Sequence, residues 1–224
     1  MSRPGKCRVI SSLYRGPVGS YADGAFCYED MMSGKTVFIY SPEFEQYNYP
    51  AECPFNSRRA GLTRKAILSM GFLSGPDRAE RAPLRAERQE LEMFHTPAYL
   101  DALEKGGEGD LDEGGFRMGL GTLDCPIFFG MYDYAVLAAG ASITGAKLIL
   151  SGEARIAFNP SGGYHHAGPN YAAGFCYIND IVLAAMTLAA TGKKVLFLDL
   201  DAHHSDGVQA AFSSRKDVMT ISLH

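Results

Sequence analysis

The sequence predicts one α/β domain: a mostly parallel sheet with helices on both of its faces. Three observations carry that reading. Lys194 to Leu200 (KVLFLDL) and Val218 to Leu223 (VMTISL) are apolar almost without a break, as strands covered on both faces must be. Stretches with helical periodicity alternate with such strands, which is the pattern of β–α–β crossovers. No internal repeat and no linker divides the chain, and 224 residues suffice for a sizeable core.

The elements follow in order. Residues 1–34 are glycine-rich and aperiodic and read as a loose N-terminal extension, with Met31 or Met32 as alternative starts; the domain is 35–224. Lys35 to Tyr40 (KTVFIY) is a short strand, and Arg59 to Met70 places Leu62, Ile67 and Leu68 at helical spacing. Thr96 to Lys105 is a helix that Thr96 caps, Pro97 opens and Gly106-Gly107 stops. Gly106 to Gly121 is glycine-rich and acidic, which predicts a surface loop. Ile127 to Leu150 is an Ala-rich helix; its most apolar part, from Tyr134, contains Lys147 and is too short and mixed to span a bilayer. Arg155 to Phe158 is a strand, Asp180 to Ala190 a helix and Gly207 to Phe212 a short helix.

Composition narrows the class of function. Lys plus Arg is 21 against 25 Asp plus Glu, and a net charge of −4 argues against a dedicated nucleic-acid binder. The five cysteines are odd in number, widely spaced and without a C-x-x-C pair, which excludes a zinc ribbon and fits reduced thiols. No apolar h-region follows the N-terminal charges, so a secretory signal is not expected. The expectation is a soluble, cytoplasmic protein.

The histidines point to chemistry. Five of the six (His165, His166, His203, His204, His224) fall in the last 60 positions. Each group follows a predicted strand, and open α/β sheets bind ligands beyond the carboxyl ends of their strands. In Asp199 to Gly207 (DLDAHHSDG), residues two apart on an extended backbone share a side, so Asp199, Asp201 and His203 can converge. A carboxylate and an imidazole at that spacing suit Zn²⁺ or Fe²⁺ better than Ca²⁺ or Mg²⁺. The competing reading is a polar βα turn with a helix cap near Asp206. Adjacent His165 and His166 reach one site only from an irregular loop, which Gly162-Gly163 and Gly168-Pro169 permit. Two histidines in one loop and two spare carboxylates, Asp199 and Asp206, in the other can form two His–Asp pairs. A neutral histidine so oriented serves as general base and later as general acid.

The segments GGYHHAGPNYAAGFCYIND (162–180), VLFLDLDAHHSDGVQAAF (195–212) and VMTISLH (218–224) resemble the histone deacetylase superfamily. FHTPAYLDAL (94–103) and GLGTLDCPIFFGMYDYA (119–135) extend the resemblance. Its bacterial members include acetoin-utilisation proteins and acetylpolyamine amidohydrolases, and the deacetylase or acetoin-utilisation branch is the better match. The resemblance implies a deacetylase/arginase-like fold and zinc-dependent hydrolysis of an N-acetyl amide. It makes Asp201 and His203 zinc ligands and pairs Asp199 with His165 and Asp206 with His166, with His166 the stronger candidate for the proton carrier. It places Asp124 on the substrate backbone, Gly174 and Phe175 along an acyl-lysine tunnel, and Arg59 behind the site. Asp199, Asp201 and His203, with Ser222 and Leu223, would surround a structural K⁺.

Two family elements lie further downstream than His224: a third zinc ligand, an Asp, and a Tyr in a Gly-rich loop that stabilises the oxyanion. The expectation is therefore the N-terminal portion of the catalytic domain, truncated at its C-terminus, metal-poor and nearly inactive alone. Cys53 stands where relatives often carry His before Pro54. The expected partner is the acetylated lysine side chain of a protein or an acetylated amine, with no direct nucleic acid and no membrane. Acetylpolyamine hydrolysis and a non-catalytic acyl-lysine-binding module are the alternatives. A nucleotide-binding domain ranks last, because no G-x-G-x-x-G or P-loop follows any strand.

Overall fold

In a computed structural model, which describes residues 34–224, β1 (Lys35–Ile39) pairs in parallel with β2 (Arg78–Arg81) on one side and β3 (Ala154–Phe158) on the other. Val37 sits opposite Ala79 and Ala157, and Val37, Phe38 and Ile39 are buried. The expected N-terminal extension lies outside the described residues except for Gly34. β2 has the sequence RAER and no apolar pattern to betray it. An edge strand tolerates such charge, and pairing with β1 alone makes it a strand.

α1 (Arg59–Ser69) forms as expected, and α2 (Arg88–Leu91) is one turn closed by a reciprocal Glu87–Glu90 cap. α3 (Pro97–Gly107) starts as predicted, with Thr96 Oγ1 accepting from the Tyr99 N–H, and buries Tyr99, Leu100 and Leu103. Its last turn includes Gly106 and Gly107 instead of stopping before them. They pack where a side chain would meet Met131 and Tyr132, so the glycines serve a close approach. The predicted surface loop after α3 contains a further helix, α4 (Glu113–Arg117). The carboxylate of Asp112 accepts from the Gly115 N–H at 2.7 Å and starts α4 despite its glycines.

α5 (Met131–Leu150) is long and apolar enough to cross a membrane by length and composition, contrary to the expectation for this stretch. Most of it is buried inside the fold, however, against α3, β3 and α6 (Asp180–Ala189), as a core helix. β4 (Val195–Asp199) and β5 (Val218–Ser222) pair in parallel, Leu196 opposite Met219 and Asp199 opposite Ser222, joined through α7 (Asp206–Phe212).

The strands are parallel throughout but form two ladders, β2-β1-β3 and β4-β5, with no hydrogen bonds between them among the described residues. One core gathers around α3, α5 and the aromatic residues before α6; a second joins Val182, Val208, Phe212 and Val218. Alternation along β4 sends Phe197 and Asp199 inward and Leu196, Leu198 and Leu200 outward. That outward face is open, with Leu196 61%, Leu200 71% and Met219 62% exposed.

This asymmetry is measurable. In the 224-residue chain, Met219→Lys should change the unfolding free energy by less than about 0.5 kcal/mol. Val218→Ala, one residue away and 5% exposed, should cost about 2 kcal/mol. Urea titrations of both variants check this; equal costs would mean that the open face is covered in solution.

Candidate active site

A cavity of about 450 Å³ opens where the chain leaves β3 and β4. His165, His166, Asp201, His203, Gly174 and Phe175 line it, with Asp124, Arg59 and Phe55 around them.

The tandem histidines share the cavity because their loop is irregular. Gly163 has φ 103°, and the two imidazole rings lie 4.1 Å apart between centroids. His166 Nδ1 is 2.7 Å from Asp206 Oδ1, and His165 Nδ1 is 3.2 Å from Asp199 Oδ2. A carboxylate can only accept, so each Nδ1 donates its N–H to the Asp and each Nε2 is the ring nitrogen left for other work. His165 is buried, while His166 is more open to the cavity.

Burial opposes ionisation of Asp199. Hydrogen bonds from the Asp201 N–H, the Ser205 hydroxyl and His165 outweigh it and hold the carboxyl below the usual range. Burial likewise opposes ionisation of Asp206, and His166 with the Gly207 N–H keeps it low. The His203 N–H does most to lower Asp201. All three carboxylates are therefore anionic at neutral pH.

The expected convergence of Asp199, Asp201 and His203 is partly realised. Asp199 turns inward with Phe197 and sits under His165. Asp201 and His203 alone face the cavity, His203 Nδ1 lying 3.2 Å from Asp201 Oδ1. Ser222 and Leu223 gather on Asp199: the Ser222 hydroxyl donates to Oδ2 at 3.2 Å and the Leu223 N–H to the backbone carbonyl at 2.9 Å. The His224 ring lies 5.3 Å from that of His204 at a tilt of 57°, and neither lines the cavity.

Gly174 has φ 52°, and a Cβ there would stand 2.4 Å from His166 Cδ2. Phe175 is the only non-glycine residue at positive φ among the described residues (66°), a costly conformation for a bulky side chain. Its N–H donates to the Asp124 carbonyl at 3.0 Å, and its ring sits 6.5 Å from that of Phe55. Arg59 donates to the Gly162 carbonyl at 3.0 Å and lies over the Phe55 ring. Phe55 escaped the sequence reading, because an isolated aromatic in a Pro- and Asn-containing loop carries no periodic signal.

Among the described residues no group of three or more His, Cys, Asp or Glu is arranged to hold a metal ion. Asp201 and His203 form a two-donor pair open on the cavity side, one short of the three protein ligands usual for catalytic zinc. The donor chemistry fits zinc as two members of its ligand set.

Parallel strands thus bring two His–Asp pairs and the adjacent Asp201–His203 pair to one cavity. Residues 53–224 match the family model described as the histone deacetylase domain, and the chain belongs to that family. It is 42% identical over 192 residues to histone deacetylase 8 of Xenopus tropicalis, covering 84% of this chain and 50% of that protein. The acetoin utilization protein AcuC of Bacillus subtilis is 39% identical over 191 residues, with 84% and 49% covered. The crystal structure of a deacetylase homolog from Aquifex aeolicus superimposes with a TM-score of 0.76 at 33% identity, over 85% of this chain and 51% of that one. The chain thus spans about half the length of the relatives it matches.

Proposed function

We propose that this chain supplies the histidine-bearing part of a zinc-dependent amidohydrolase that removes acetyl groups from acetyl-lysine. The observation that carries the reading is the meeting of two His–Asp pairs and the Asp201–His203 donor pair in one cavity beside Phe175. Asp201 and His203 would hold a zinc ion, whose chemistry there would be Lewis acidity toward a carbonyl oxygen.

The remaining work falls to the protein's own groups. His166 Nε2 accepts the proton of the attacking water, and the Asp206 carboxylate stabilises the imidazolium that results. The same nitrogen returns the proton to the leaving amine. Asp199 keeps His165 in the same tautomer beside it. Phe175 and Phe55 flank the aliphatic tether of a lysine, and the Asp124 carboxylate accepts from a substrate backbone N–H. Asp199, Asp201, His203, Ser222 and Leu223 would hold K⁺ beneath the site. The free thiols of Cys53, Cys125 and Cys176 support a reducing, cytoplasmic setting.

Metal analysis after dialysis should find a weakly held zinc that Asp201→Ala abolishes. In the full chain His166→Ala should lower hydrolysis of an acetyl-lysine peptide about 10³-fold. Zinc retained in Asp201→Ala, or turnover unchanged in His166→Ala, would sink this reading. Acetylated polyamines run in parallel test the substrate class.

A further inference from the structure

The loop that carries His165 and His166 has almost no regular hydrogen bonding of its own, yet its side chains must hold hydrogen-bond geometry. Two consecutive residues at the start of α6 supply what it lacks. Asn179 and Asp180 are 0% and 1% exposed, and both direct their side chains at this one loop.

They treat its two ends with opposite polarity. Asp180 Oδ1 accepts the Gly163 and Tyr164 N–H groups at 3.1 and 2.8 Å, just before the histidines. Its Oδ2 accepts the Ser142 hydroxyl of α5 at 2.5 Å. Asn179 Nδ2 donates to the carbonyls of His165 at 3.3 Å and Ala167 at 2.9 Å, on either side of His166. Asn179 Oδ1 accepts the Val182 N–H at 3.1 Å and so caps α6. Its own N–H is held at 3.0 Å by His95 Nε2.

Every hydrogen-bonding atom of the Asn179 side chain is thus used, and the buried carboxylate of Asp180 is met by three donors. The opposite side of the loop is closed by α7. A Cβ at Gly207 would come within 2.6 to 2.9 Å of the carbonyls of His165, His166 and Ala167. That close approach keeps neighbouring Asp206 within reach of the His166 ring.

We propose that Asn179 and Asp180 are positioning residues: a clamp of opposite polarity, N–H groups gripped before the histidines and carbonyls after, that fixes both imidazoles against Asp199 and Asp206. The assignment rests on the hydrolase reading for its catalytic consequence, but not for its geometry. The clamp acts through backbone hydrogen bonds, so reversing or removing its polarity at nearly unchanged volume should disable it. Asn179→Asp sets an acceptor against two carbonyl oxygens; Asp180→Leu, of similar size and branching, leaves the Gly163 and Tyr164 N–H groups without an acceptor.

Both variants, of nearly unchanged volume and made in the full chain, test the proposal. If they keep the far-ultraviolet circular dichroism of the unsubstituted protein, the Nδ1–H resonance of His166 should shift or broaden beyond detection. Acetyl-lysine turnover should drop at least about tenfold in kcat with KM within about twofold, the signature of misplaced reacting groups. Hydrogen exchange on the unsubstituted protein covers the case of variants that do not fold. The Gly163 and Tyr164 amides should then exchange as slowly as the core amides of α6.

Folded variants with an unchanged His166 resonance and unchanged kcat would overturn the clamp. Exchange of Gly163 and Tyr164 at open-loop rates would overturn it as well. If the unsubstituted protein does not hydrolyse acetyl-lysine, the hydrolase reading fails, while resonance and exchange still decide the clamp.

Discussion

Gly174→Ala should lower acetyl-lysine turnover about 10²-fold with little loss of fold. Two costs arise at this position and they separate cleanly. An alanine at φ 52° carries a backbone strain of about 1–2 kcal/mol, which the fold can absorb. Its Cβ would also sit 2.4 Å from His166 Cδ2, a distance that no real contact tolerates, so the imidazole must move. The ring is tied to Asp206 at 2.7 Å and cannot shift without stretching that bond. Gly152→Ala is the control: φ there is 78°, nothing lies within 4 Å of a Cβ, and the strain comes without the collision. Steady-state kinetics on both variants check the prediction. Turnover in Gly174→Ala within about twofold of the control would remove His166 packing as the reason for this glycine.

Acidification from pH 7 toward pH 4 should remove about 3 kcal/mol of folding stability, with His95 as the principal cause. The ring is 1% exposed, lies between Phe94 and Tyr99 at 4.9 and 5.6 Å, and accepts the Asn179 N–H at Nε2. Nδ1 points toward the Gly168 and Pro169 carbonyls without a hydrogen bond of good geometry. Burial pushes the imidazole down to about 4, whereas the unfolded chain takes up the proton near ~6.5.

Between those values the unfolded state holds more protons, so stability rises with pH and is lost as pH falls through the window. Asp199 and Asp206, held low, add their losses only below the ordinary carboxylate range of ~4. Urea unfolding at a series of pH values measures the slope. His95→Gln keeps an acceptor for Asn179 but cannot titrate, and it should flatten the slope between pH 6.5 and 4. An equally steep slope in that variant would move the effect to another group.

Much of the fold was legible because it is written in local periodicity. KVLFLDL and VMTISL became β4 and β5, and Thr96-Pro97 opened α3 where capping chemistry places a start. The misses share a cause. RAER of β2 and the glycine-bearing turn of α4 have no apolar period, and they take their form from a neighbouring strand and from the Asp112 cap.

The site divides along the same line. His165-His166 and the alternating Asp199, Asp201 and His203 announced themselves by residue type and spacing, and the quoted motifs carried the family resemblance. Asn179 and Asp180 stood inside one of those motifs without disclosing their task. Nothing in an Asn-Asp pair before a helix says which loop its side chains will meet.

The sequence by itself determined the family, the parallel α/β class and the inventory of reactive groups, because periodicity and side-chain chemistry are local properties. Only the tertiary structure decided how those groups are held. His165 and Asp199 are 34 residues apart in the chain and His166 and Asp206 are 40 apart. Their hydrogen bonds exist because α6 grips the histidine loop from one side and Gly207 lets α7 close on it from the other. A hydrogen bond needs its partners placed to within a few tenths of an ångström, and that precision comes from packing between elements distant in sequence.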